Sequence, residues 1–67
     1  MDEEKLNLSV RKFLKHLGVT SQREIEKAVR AAAEKGDLPA EGLKVTVQLE
    51  CPDLGLSHEI DGRIETG

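Results

Sequence analysis

The chain has 67 residues, 34% of them charged, with a net charge of −3 and a single cysteine. A domain of this size buries only about 60% of the surface its unfolded chain exposes, so its core is marginal. One cysteine excludes an intrachain disulfide, which leaves a partner subunit as the remedy for a small core. The charge is unevenly spread: residues 5–35 hold eight Lys/Arg against three Asp/Glu, residues 36–67 hold two against seven, and residues 1–4 are acidic. Opposite halves of this kind can attract one another within a chain or between subunits.

The acidic start Met1-Asp2-Glu3-Glu4 lacks the basic, then apolar, pattern of a signal peptide, and no apolar run reaches membrane-spanning length. The expectation is a soluble, cytoplasmic protein with no membrane partner. Lone Cys51 agrees with a reducing compartment.

Leu6, Val10, Phe13, Leu14 and Leu17 recur at the spacing of one helical face and predict a first helix over residues 3–17, with Asp2 as its N-cap. Leu8 lies almost opposite that stripe. Gly18 can take the left-handed conformation that closes a helix, and Ser21 with Glu24 three residues later forms a capping-box pattern. A corner is therefore expected at Gly18–Glu24. A second helix follows over residues 22–35, with Ile25, Ala28, Val29 and Ala32 inward and Gly36 as its stop.

Residues 36–42 read as a linker, punctuated by Gly36, Pro39 and Gly42, with Leu38 turned back as an apolar plug. From Leu43 the period changes to two: Leu43, Val45, Val47, Leu49 and Cys51 alternate with polar residues, which predicts a strand over 43–51. Pro52-Asp53-Leu54-Gly55 carries turn chemistry, and a second strand is expected over 56–64. Closing the hairpin so that Cys51 faces Leu56 pairs Leu49 with His58, Val47 with Ile60, Val45 with Gly62 and Leu43 with Ile64. That register makes one face almost wholly apolar. The expected fold is α+β in the order α-α-β-β: one domain, with both helices packed on the apolar face of the hairpin.

The helix, Gly corner, helix arrangement invites a DNA-binding helix-turn-helix reading, with Arg23, Lys27 and Arg30 as the nucleic-acid contacts. The pattern departs from that motif at Leu14, Glu24 and Lys27, where small or apolar residues belong, and the acidic C-terminal half opposes phosphate. A solvated, ion-paired face is the plainer reading. His16, His58 and Cys51 are zinc-binding types but share no ligand spacing, so no metal or cofactor is expected. The carboxylates Glu59 and Asp61 fall on the solvent side of the hairpin, away from any desolvated cleft of the kind that acid–base catalysis needs. No catalytic residue is assigned, and a non-enzymatic role is expected.

The runs Leu6-Asn7-Leu8-Ser9-Val10-Arg11-Lys12-Phe13-Leu14-Lys15, Gly18-Val19-Thr20-Ser21-Gln22-Arg23-Glu24-Ile25-Glu26 and Asp53-Leu54-Gly55-Leu56-Ser57-His58-Glu59-Ile60-Asp61-Gly62 resemble a small bacterial family of short proteins of unknown function. The resemblance implies a stand-alone domain with two helices before a β-hairpin and implies no activity.

A lone hairpin is marginal in water and leaves two edges unpaired, so the expected working unit is a symmetric homodimer, a protein-interaction or structural module. Its expected interface is Leu43, Val45, Val47, Leu49, His58, Ile60 and Ile64. Exchange of the helical pair between subunits is a specific version of the same arrangement. The chain itself is the expected partner, a further protein is open, and nucleic acid is disfavoured.

Overall fold

A computed structural model describes all residues, Met1–Gly67. Its elements are helix α1 (Glu3–Glu34), strand β1 (Leu43–Cys51), a one-turn 3-10 helix (Pro52–Leu54) and strand β2 (Leu56–Ile64). They fall into two compact units, Met1–Gly36 and Asp37–Gly67.

The first unit corrects the two-helix expectation: the predicted helices are one continuous helix of 32 residues. Gly18 lies inside it, outside the left-handed region where only Gly36, Gly42 and Gly55 fall. A mid-helix glycine costs about 1 kcal/mol relative to alanine. A corner would instead leave up to about four carbonyls and four amides without intrahelical partners, of which a Ser21 cap recovers only one or two. The second residue of that capping box is also engaged elsewhere, because Glu24 Oε2 lies 3.8 Å from Lys27 Nζ. Gln22 Nε2 donates to Glu26 Oε2 at 3.1 Å, and Glu26 Oε1 lies 3.6 Å from Arg30 Nη2. Each such pair at three- or four-residue spacing supports a helix by roughly 0.2–0.5 kcal/mol.

The helix-face pattern also runs through the glycine, with Ser21 as its one polar member. Leu6, Val10, Leu14, Leu17, Ser21, Ile25, Ala28 and Ala32 follow one another at steps of four, four and three residues along α1. An eleven-residue repeat averages about 3.67 residues per turn, close to the natural helix, so one stripe stays on one face without a break. With no second helix, there is no helical pair to exchange between subunits.

The ends of α1 are closed locally. Asp2 is extended, and its side chain accepts from the Lys5 amide at 3.1 Å. At the other end the Lys35 and Gly36 amides donate to the Ala32 and Ala33 carbonyls, and Gly36 takes a φ of +72°.

In the second unit β1 and β2 form a two-stranded antiparallel sheet. The register pairs Cys51 with Leu56, Leu49 with His58, Val47 with Ile60, Val45 with Gly62 and Leu43 with Ile64. Pro52–Leu54 turns the chain, and left-handed Gly55 (φ +63°) donates its amide to the Pro52 carbonyl at 3.1 Å. On the polar face Thr46 Oγ1 donates to Asp61 Oδ1 at 3.3 Å and Gln48 Nε2 donates to Ser57 Oγ at 2.9 Å. Gly42 precedes β1 with a φ of +93°, its amide donating to the Pro39 carbonyl.

No residue in either unit is buried. Leu17, Ile25, Val29 and Ala32 on the helix, and the odd-numbered residues of β1, are half-buried at most. The chain has amphipathic elements with formed hydrogen bonds and no closed core.

Candidate interaction surface

Two apolar surfaces stand open. On the hairpin, the alternation of β1 turns Leu43, Val45, Val47, Leu49 and Cys51 to one face, where they are half-buried. Their β2 counterparts are more exposed: Leu56, His58 and Ile60 are all solvent-facing, with Ile60 50% exposed, and only Ile64 is half-buried. Of the sequence-predicted interface residues, His58 and Ile60 are therefore the most accessible. Gly62, opposite Val45, has no neighbour within 4 Å of where a side chain would begin. A shallow depression of about 230 Å³ lies there, lined by Val45, Val47, Ile60, Gly62 and Ile64 together with Asp61 and Arg63.

The second open surface was assigned by sequence to the core. Leu6, Val10, Phe13 and Leu14, in the first half of α1, are 45%, 45%, 54% and 50% exposed. Leu8 is exposed too, off the stripe, beside Glu3, Glu4 and Asn7.

The charged residues have plain surroundings. Arg23, Lys27 and Arg30 lie on an uninterrupted helix, and the bihelical corner that would present them to a DNA groove is absent. Lys27 and Arg30 face Glu24 and Glu26 in exposed pairs. Arg63 Nη2 donates to the Glu41 carbonyl at 3.2 Å. Cys51 is a free, half-buried thiol, and no group of three or more His, Cys, Asp or Glu side chains is placed to hold a metal ion. No helix is long and apolar enough to cross a membrane.

The fold is a small α+β one, a long amphipathic helix followed by a hairpin. The chain belongs to the family of unknown function DUF6494, whose model matches residues 1–67. Neither the curated proteins nor the solved structures contain a match. The family expected from the sequence runs is thus of the expected kind, without an assigned activity, and its expected pair of helices is corrected to one.

Proposed function

We propose that this protein is a non-enzymatic, homodimeric protein-interaction or structural module that acts in the cytoplasm, its apolar faces covered by a second copy. The observation that carries the reading is that none of the 67 residues is buried although the helix and the first strand are amphipathic. Elements of this kind gain their stability chiefly from packing an apolar face, and a two-stranded sheet has little of its own. A self-complementary contact about a two-fold axis supplies the missing cover with residues already present. The hairpin face, with Ile60 and His58 at its most open part and Leu43, Val45, Val47, Leu49 and Ile64 beside them, is the candidate contact.

Two features support a role without catalysis. The carboxylate of Asp61 is exposed and bonded across the strands to Thr46, and Glu59 beside it is exposed. The depression over Gly62 is shallow and walled mainly by aliphatic side chains. An unpaired thiol at Cys51 suits the reducing cytoplasm.

Dilution of isotope-labelled protein from millimolar to micromolar concentration tests the reading. The Val47, His58 and Ile60 amide resonances are expected to move along one saturable curve. Resonances fixed across the range, in a protein of monomeric mass, contradict it.

A further inference from the structure

Resting on the homodimeric reading, we propose that His58 makes the hairpin contact proton-controlled, with the two copies joined when its imidazole is neutral and released when it is charged. The composition of the contact face carries this.

His58 stands on β2 opposite Leu49, with Leu56 and Ile60 two residues away on the same side of the strand. Its diagonal neighbours on β1 are Cys51 and Val47. Leu43, Val45, Gly62 and Ile64 complete this face of the two strands, so Cys51 is its only other titratable member. Every charged residue of the strands, Lys44, Glu50, Glu59, Asp61 and Arg63, falls on the alternate positions and turns to the opposite face. The 3-10 turn adds one charge, Asp53, which is exposed at the hairpin tip beyond the Cys51–Leu56 pair.

A second copy that lays the same face against this one brings only the same residues. Its titratable groups are another imidazole and another thiol, and neither carries a negative charge in mildly acid solution. Covering His58 therefore removes it from water without supplying a counter-charge, which disfavours the charged ring. In the separate chain His58 is exposed, and either form is solvated. The sign follows from linkage: acid adds a proton that the separate chain accepts and the joined face refuses. Self-association is strongest above the ordinary histidine value of about 6.5 and is lost progressively as pH falls below it. The chain's other histidine, His16, is exposed on α1 outside the apolar stripe and serves as an internal control.

Sedimentation equilibrium of the full chain at about pH 7.5 and about pH 5.5, one unit either side of the ordinary histidine value, tests the proposal. Each excluded proton is expected to raise the dissociation constant about tenfold between these conditions, and the two in a dimer about 100-fold. His58→Leu, which keeps the face apolar, and His58→Gln, which keeps a neutral hydrogen-bonding side chain, are each expected to give a dimer insensitive to pH over this range. His16→Gln is expected to keep the full dependence. The His58 ring-proton resonance of the unmodified chain gives a reading independent of any variant: its titration midpoint is expected to lie lower at millimolar than at micromolar concentration. A dimer whose constant is the same at both pH values overturns the proposal and leaves the homodimeric reading standing, as does a pH dependence that His58→Leu and His58→Gln both retain. Tighter association in acid also overturns it, because that sign requires a carboxylate beside the imidazole. Monomeric mass at every pH and concentration overturns both readings.

Discussion

Gly42 sits directly against the carbonyl oxygen of Ile64, so that a Cβ on residue 42 would stand 2.8 Å from it. The contact closes the open end of the hairpin, because Gly42 leads into β1 and Ile64 ends β2. The φ of Gly42 is +93°, a conformation that side chains rarely adopt. Backbone strain and a backbone clash thus coincide, and the carbonyl cannot swing aside without loosening the strand. Gly42→Ala is expected to destabilise the hairpin by about 2 kcal/mol. Loss of amide-exchange protection at Leu43, Val45 and Gly62 reports it, while unchanged protection contradicts it.

Gly18 has the opposite character. No atom lies within 4 Å of where its side chain would begin, and its backbone is that of the surrounding helix. Gly18→Ala is therefore expected to stabilise α1 by about 1 kcal/mol, seen as greater helicity at 222 nm and a higher melting midpoint. In a two-helix protein with Gly18 as a left-handed cap the same substitution would destabilise, so the sign of the change decides between the two architectures.

The hairpin was legible because its signals agree at every level. Period-two alternation in Leu43–Cys51, Pro52 and Gly55 in the turn, and the cost of moving Ile60 and Ile64 to the polar face all select one register. The helix was misread because Gly18, Ser21 and Glu24 are strong local signals for a corner, and local signals do not weigh the backbone groups a corner would orphan. The three-four-four-three spacing from Leu14 through Leu17, Ser21 and Ile25 to Ala28 was present in the chain and would have shown one face crossing the glycine. The exposed half of the stripe was not legible, since pattern reveals that Phe13 and Leu14 share a face but not how much surface there is to cover them.

Asp2 is the one side chain that caps α1, through the Lys5 amide. Asp2→Ala is expected to cost about 1 kcal/mol of helix stability, and Asp2→Asn, which keeps the acceptor, much less. Helical chemical shifts of Glu3–Lys5 distinguish the variants: equal fraying in both would mean that charge, not the hydrogen bond, holds this end.

Arg23, Lys27 and Arg30 belong to one solvated helix face, and the acidic second unit opposes phosphate. Titration with duplex DNA at low salt is expected to leave their amide resonances in place. A saturable, salt-sensitive shift at these three positions would restore a nucleic-acid role.

Ile60 and Leu8 are both exposed, the first on the face proposed as the dimer contact and the second off the helix stripe. Ile60→Asp, on the open apolar face of β2, is expected to weaken self-association about tenfold or more, because it places a carboxylate on the face proposed as the dimer contact. Leu8→Ser, off the helix stripe, is expected to leave it unchanged. Sedimentation velocity on both variants checks the pair of outcomes.

Sedimentation equilibrium of the unmodified chain over a wide concentration range tests most directly whether a protein with no buried residue completes itself with a second copy. The weight-average mass is expected to rise from the 7.4 kDa of one chain to twice that value and to level there, fitted by a single monomer–dimer constant. A mass that stays at one chain throughout would contradict the account.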